Sequence, residues 1–302
     1  MNIDIILPIH KANNFVFEAI DSVINQTYEF WILHIIDDAS GDNSLNNIKK
    51  KYGDLKGKIK YYQLDDNKRQ AYARNFVVSK SNGRYIAFID QDDLWLPEKL
   101  KKQINYFHQH DVEAVHSNLK LINNANIIIY CDKWMSENQT RREVNWNQPK
   151  IELTNKIFQI PNIRIISSMI SRNIFEKIGG FKDQFFGGED ETFWVEIALN
   201  SKIGFIDEIL FYRREHETNA VNRFKVERLK GYLKSIDFVK NSYQDFINKQ
   251  QISKKSFDIY IRLLNVLYQK GEFKELIYYL IIVLLKYPIN FIKHFYYSKL
   301  NK

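Results

Sequence analysis

The first 118 residues alternate short apolar runs with segments of helical period. Ile3–Leu7 (closed by Pro8), Trp31–Ile36, Ile59–Gln63 and Tyr85–Ile89 are rich in branched and aromatic residues, and each reads as a strand. Asn13 or Asn14 caps a helix reaching about Gln26, with Phe17, Ile20, Val23 and Ile24 on one face. Asp42 or Asn43 opens a second helix through Leu45 and Ile48, Ala71–Ser79 forms a third that Asn82-Gly83 ends, and Pro97 starts a fourth reaching about His110. Strands apolar on both faces and alternating with helices predict an α/β fold whose mostly parallel sheet is covered on both sides. Residues 119–165 are polar and irregular and predict a strand or two with loops. Ile165–Ile170 predicts a strand, Arg172–Ile178 a short helix stopped by Gly179-Gly180, Glu191–Leu199 another helix, and Ile203–Ile206 and Ile209–Tyr212 two strands. From Arg223 the period is helical, with Gly271 separating two helices and Pro288 opening a last one.

Composition divides the chain in two. Of its 302 residues, 45% are hydrophobic and 26% charged, which excludes a disordered chain. The net charge of +8 is uneven: residues 222–302 hold 16 Lys and Arg against 6 Asp and Glu, whereas 1–221 hold 28 against 30. Two parts are therefore expected, 1–221 (itself split at 118/119) and a basic, aromatic-rich helical region, 222–302. The single cysteine, Cys131, excludes an intrachain disulfide and a Cys-based zinc site. Met1 leads directly into a strand-like run, so no secretory leader and a cytoplasmic setting are expected.

Ligands in such sheets bind beyond the carboxyl ends of the strands, and two acidic groups stand there. Asp90-Gln91-Asp92-Asp93 follows the run Tyr85–Ile89; three carboxylates in four residues repel one another unless a cation lies between them, and hard oxygen ligands suit Mg²⁺ or Mn²⁺. An acidic loop capping the helix at Pro97 is the plainer alternative. Asp37-Asp38 can accept hydrogen bonds from a nucleobase imide, or belong to the tight turn through Ser40, Gly41 and Asp42. Glu189-Asp190 follows Gly187-Gly188, which leave backbone room for a sugar to approach, and precedes Phe193-Trp194, which supply apolar walls; a carboxylate beside apolar surface suits a general base, while acids at a helix N-terminus also need no special role. His34 reads as a packed strand residue, and His108 and His110 as solvated helix-end residues. Trp134 and Trp146 can stack on sugar faces or pack locally.

With these stretches in view, the chain resembles the family 2 glycosyltransferases, inverting nucleotide-sugar enzymes with the GT-A fold. The matching segments are IDIILPIH (3–10), AIDSVINQT (19–27), IIDDASGD (35–42), ARN (73–75), GRYIAFIDQDDLWLP (83–97) and IGGFKDQFFGGEDETFW (178–194). The resemblance covers roughly residues 1–216 and implies a nucleotide-sugar-binding half, 1–118, and an acceptor-binding half, 119–221. It implies that Asp38 holds the donor base, that Pro8, Ile9 and His10 line the base pocket, and that Arg74 approaches the donor. Asp90 and Asp92 then hold the divalent cation on the diphosphate, with Asp92 preferred as direct ligand and Gln91 between them. Asp190 becomes the catalytic base, with Glu189 and Trp194 beside it on the substrate, and His216, in the looser match YRREH (212–216), reaches the metal or diphosphate. His10 departs from the family's usual Tyr, and Arg69 stands where many relatives carry Gly; Arg69 either contacts the diphosphate or narrows the loop.

The implied reaction is transfer of a hexosyl or N-acetylhexosaminyl group from a nucleotide-sugar, with a UDP-sugar as first choice, to a hydroxyl of a glycan or lipid-linked glycan in surface polysaccharide or lipopolysaccharide assembly. The alternatives are a catalytically silent glycan- or membrane-binding scaffold and an Asp-nucleophile phosphotransferase. The phosphotransferase would place its nucleophile after the first strand, where Pro8-Ile9-His10 stands. Residues 273–300 combine apolar, aromatic and Lys positions, which suits peripheral contact with the cytoplasmic face of the inner membrane, a packed helical tail, or a homo-oligomer interface. No nucleic-acid motif accompanies the charge.

Overall fold

The computed structural model describes residues 2–129, 138–159, 163–216, 224–292 and 294. Cys131 and Trp134 lie outside them. The elements run β1 (Ile3–Ile9), α1 (Phe15–Ile24), β2 (Trp31–Asp37), α2 (Ser44–Tyr52), β3 (Ile59–Gln63), α3 (Arg69–Ser79), β4 (Tyr85–Phe88), β5 (Leu94–Trp95), α4 (Lys99–Gln109), β6 (Ala114–Ile122) and β7 (Ile128–Ile129). They continue with α5 (Lys150–Gln159), β8 (Met169–Ser171), α6 (Arg172–Lys177), α7 (Glu189–Asn200), β9 (Ile203–Arg214), α8 (Lys225–Ser242), α9 (Lys249–Lys270) and α10 (Phe273–Lys286). The chain divides into two compact units, Met1–Asp183 with Asp190–Glu217, and Gln184–Glu189 with Thr218–Lys302.

The first unit holds one sheet in the order β3-β2-β1-β4-β8-β6-β9-β5, with β7 on β6. Its half β3-β2-β1-β4 is parallel. Beyond β4 the sheet is mixed, because the short β8 runs antiparallel to both β4 and β6 while β9 is parallel to β6. Pro8 does not close β1 but pairs with Ile36 inside it. Alternate residues of β1 turn their backbone to β2 and to β4: the carbonyl of Ile9 accepts from Asp38 and that of Ile6 from Ile89. The missing N–H of Pro8 thus faces the β4 side, past the last paired residue there, Phe88, and no ladder bond is lost.

Ile3, Ile5, Ile6, Leu7, Leu33, Ile35, Ile36, Ile86 and Phe88 are buried on both faces, as a covered sheet requires. Two buried polar residues of this layer, Asp4 and His34, pair with each other. His34 Nε2 lies 2.9 Å from Asp4 Oδ1, and Tyr62 OH is 3.1 Å from its other ring nitrogen. Burial pushes the Asp4 carboxyl up, but the His34 bond and charge and the Gly83 N–H overcome it, and Asp4 sits below its ordinary value.

Three segments differ from the sequence expectation. Residues 150–159 form a helix where loops were expected, its buried face made by Leu153, Ile157 and Phe158. Ile165–Ser167 is a 3₁₀ turn and only Met169–Ser171 is strand. The two expected strands at 203–212 are one, β9, whose irregularity falls opposite Ser117–Leu119.

The second unit is helical. Asn248 caps α9 by accepting from Gln250 N–H, and α9 ends at Gly271, whose φ of +71° is the left-handed turn glycine favours. Val226, Leu233, Ile236 and Val239 of α8 and Phe257, Leu263, Leu264 and Leu267 of α9 are buried, and both α8 and α10 contact α9.

Candidate active site

Three strand ends build the site. His10 directly follows β1, Asp38 directly follows β2, and the turn after β4 carries Asp90, Gln91, Asp92 and Asp93. Side chains lock these ends together. Gln91 Oε1 accepts from the His10 N–H at 2.9 Å, and His10 Nδ1 lies 2.9 Å from the Asp38 carbonyl. The Asp38 carboxylate accepts from two successive amides, Lys68 N–H at 2.6 Å and Arg69 N–H at 2.7 Å. Those bonds hold Arg69 at φ +71°, a left-handed backbone that glycine adopts without strain. Asp37 takes the turn role, accepting from the Ser40 N–H and hydroxyl.

The acidic run separates into three differently held carboxylates. Asp90 Oδ1 accepts from Arg74 Nη2 at 3.0 Å. Asp92 Oδ2 lies 2.8 Å from His216 Nε2. Asp93 is buried and accepts from the Arg214 N–H at 2.9 Å, so it ties the turn to the end of β9. Burial pushes Asp93 well above the ordinary carboxylate range, and Asp92 and Asp90 add to it. Asp90 is raised as well: burial is the main cause, Arg74 opposes it, and Asp92 and Asp190 reinforce it.

Arg74 joins two of the carboxylates, Asp90 and Asp190. Its side chain is 2% exposed, its guanidinium lies 5.7 Å from the Phe88 ring centre and 5.4 Å from that of Phe181, and its second arm, Nη1, reaches Asp190 Oδ1 at 3.4 Å. Asp190 is 40% exposed, open to a solvent-borne molecule. Neighbouring Asn75 exchanges two hydrogen bonds with the backbone of Phe181, at 2.8 and 2.9 Å, and so fixes α3 against the segment that leads to Asp190.

The profile of Glycosyl transferase family 2 matches residues 4–179. The chain belongs to this family. This glycosyltransferase is 28% identical over 228 residues to the UDP-Glc:alpha-D-GlcNAc-diphosphoundecaprenol beta-1,3-glucosyltransferase WfgD of Escherichia coli, covering 74% of this chain and 81% of that one. It is also 28% identical over 256 residues to the O-antigen biosynthesis glycosyltransferase WbnJ of E. coli, covering 83% and 91%. Among solved structures it resembles S. aureus TarS 1–349 in complex with UDP-GlcNAc (TM-score 0.64, 17% identity, 88% of this chain and 73% of that one). It also resembles the mannosyltransferase PcManGT of Pyrobaculum calidifontis in complex with GDP-Man and Mn²⁺ (TM-score 0.61, 14% identity, 95% and 81%). These similarities show the fold, α/β of the GT-A type followed by a helical C-terminal region.

Around that fold, the expected site residues of the glycosyltransferase distribute as follows. His10, Asp38, Arg69 and Gln91 share one network, Pro8 and Ile9 lie in β1 beneath it, and Arg74, Asp90 and Asp190 share another, beside the Asp92–His216 pair. Trp194 is corrected: it is 2% exposed and packed in the core with its ring 6.0 Å from His116, which leaves it no surface for a sugar. Phe193 is likewise core, stacked on Phe181 at 4.1 Å. Glu189 turns its carboxylate to its own loop, where Oε2 accepts from the Gly187 N–H at 2.6 Å. The space expected at Gly187-Gly188 is occupied by α8: a Cβ on Gly187 would stand 2.5 Å from the Arg228 carbonyl, and one on Gly188 2.2 Å from Ser235 Oγ. Trp146 packs locally, 4.4 Å from the His116 ring, with its N–H on the Arg141 carbonyl.

Arg214 is a buried organiser that the sequence left within a loose motif. It donates to the Asp92 carbonyl at 3.0 Å, to Asn126 Oδ1 at 2.7 Å and to Glu18 Oε2 at 2.9 Å. Its signal is faint: an arginine closing an apolar strand.

Among the described residues, no group of three or more His, Cys, Asp or Glu side chains forms a ready-made metal cage. Asp90, Asp92 and His216 nonetheless fit a divalent ion of the Mn²⁺ or Mg²⁺ kind. They offer hard oxygen and imidazole donors, and their carboxylates are 26% and 24% exposed. Such ions commonly complete their shell with substrate phosphates.

Proposed function

We propose that this glycosyltransferase moves a hexosyl or N-acetylhexosaminyl group from a UDP-sugar to a hydroxyl of a glycan or lipid-linked glycan, inverting the anomeric centre, in assembly of a surface polysaccharide or lipopolysaccharide. The observation that carries the reading is the fork of Arg74, which holds Asp90 and Asp190 on one buried cation. An exposed carboxylate thus shares a cation with one of the two acids suited to a metal-bound diphosphate. The names of WfgD and WbnJ support a lipid-linked or O-antigen acceptor, and the UDP-GlcNAc complex of TarS supports a UDP-sugar donor.

In this reading Asp190 accepts the proton of the acceptor hydroxyl as its oxygen attacks the anomeric carbon. The bond from that carbon to the diphosphate oxygen breaks, and the electron pair leaves with the nucleoside diphosphate. Asp92, with Asp90 and His216, would hold Mn²⁺ or Mg²⁺, which supplies positive charge to the diphosphate when bound. Asp38 serves twice: its carboxylate has about four lone-pair sites, so after accepting two loop amides it can still accept the imide of uracil. His10, oriented by Gln91, and Pro8 and Ile9 line the base pocket, Arg69 reaches for the diphosphate, and Glu189 shapes the acceptor loop. The enzyme would act at the cytoplasmic face of the membrane that carries its acceptor.

The test is Asp190→Asn. Turnover should fall by about 10²–10⁴ with donor binding near normal. Thermal shifts with UDP-, GDP-, dTDP- and CMP-sugars in Mn²⁺ should single out the UDP-sugars, since a ligand of the native state raises the melting temperature. Normal turnover of Asp190→Asn together with a dead Glu189→Gln would reverse the roles.

A further inference from the structure

No helix among the described residues is long and apolar enough to cross a membrane. Yet α10 has an apolar face turned to solvent. Phe273, Ile277, Tyr278, Ile281, Leu284 and Leu285 are between 43% and 78% exposed. At about 100° per residue they fall within an arc of about 140°, which Lys274, in the first turn, shares with them. Val283, the buried residue of the helix, lies on the opposite side. Ile289 and Ile292 continue the apolar surface beyond Pro288. Exposed apolar surface this continuous marks an interaction site.

From these observations we infer that α10 lies flat on an anionic phospholipid surface, with this face sunk among the acyl chains and its lysines at the headgroups. Three features choose a bilayer. The helix has 14 residues, about 21 Å, too short for a hydrocarbon core of about 30 Å but suited to its plane. Its charge is one-sided: Glu275 is engaged by Lys230 of α8 at 2.6 Å, Lys274 and Lys286 are exposed, and residues 276–302 hold four Lys and no Asp or Glu. Tyr278 adds a side chain with an apolar ring and a polar tip, which suits the boundary between lipid and water. A two-fold pairing of copies would bring this positive surface against itself, whereas an anionic leaflet complements it. The inference does not depend on the transfer reaction.

Flotation of the full chain with vesicles of phosphatidylethanolamine and phosphatidylglycerol tests it. Wild type should float with them and bind phosphatidylcholine vesicles about tenfold less. Ile281→Glu/Leu285→Glu, at exposed positions, should melt as wild type and lose binding by about tenfold or more. Lys274→Glu/Lys286→Glu, which removes positive charge and no apolar side chain, should lose a similar factor. Wild type that stays with the soluble fraction at low salt overturns the inference, as does undiminished flotation of the Ile281→Glu/Leu285→Glu chain. A wild-type dimer that this variant converts to monomer, without vesicle binding by either, assigns the face to a second copy instead.

Discussion

Replacing Arg74 by methionine removes a charge but keeps a long side chain between the Phe88 and Phe181 rings. The bond to Asp90, at 3.0 Å from a guanidinium that is 2% exposed, is charge-assisted and largely screened from water, worth about 1.5–3 kcal/mol. The contact with Asp190 is longer, 3.4 Å, and that carboxylate is 40% exposed, so it adds about 0–1 kcal/mol. Sulfur–aromatic packing of the new methionine returns about 1 kcal/mol. The Asp90 contact therefore dominates, and a net loss of about 0.5–3 kcal/mol should lower the melting temperature by a few degrees. The functional loss should be larger than this stability change suggests. Asp90, already raised by burial, loses the cation that opposes the rise, so Mn²⁺ with UDP should bind about 10–100-fold more weakly in calorimetry. Asp190 loses its tether, and kcat of the folded enzyme should fall about 10²-fold. Arg74→Lys restores charge but cannot fork to two carboxylates, so it should recover stability more than turnover. If Arg74→Met melts early yet keeps kcat and Mn²⁺ affinity within about threefold of wild type, Arg74 is a packing residue and the reasoning fails.

Two further outcomes are expected. Asp4→Asn leaves Arg172, 2.9 Å away, without its buried partner and should cost about 3–5 kcal/mol at neutral pH. Because the folded Asp4 carboxyl lies below its ordinary 3.8, its contribution is present above that pH and is lost as pH falls through the folded value. The Asn variant should therefore show a flatter acid limb in thermal melts from pH 2 to 7, and an unchanged limb would contradict the assignment. Arg69→Gly relieves a left-handed residue worth about 1 kcal/mol but frees the unfolded chain by about the same amount, so stability should barely move. If Arg69 meets the diphosphate, KM for the donor should rise about tenfold in initial-rate assays, and an unaltered KM would show that it only shapes the loop.

Much of the parallel half of the sheet was legible in the chain, for a local reason. Buried strands are continuous apolar runs, and turn residues punctuate them, so β1 to β4 and the helices between them could be placed within a few residues. The candidate carboxylates were legible too, because acids at the ends of apolar strands have no solvation reason to be there. Arg74 offered a further clue, a charge spaced three residues from Ala71 and Val77 on the buried face of α3. What local pattern cannot carry is the partner of each charge. Asp90, Asp92 and Asp93 look equivalent in sequence, and only the fold gives them Arg74, His216 and the Arg214 amide in turn. The same limit hid the roles of Trp194 and of Gly187-Gly188. An aromatic residue after an acidic pair, or two glycines before it, reads as an open cleft until the packing of His116 and α8 fills the space. Periodicity reports which side of an element is apolar, but whether that side meets the core, solvent or a bilayer depends on contacts between residues far apart in the chain. That is why the exposed face of α10, spelled by the same residue types as the buried face of α9, could be told from it only in three dimensions.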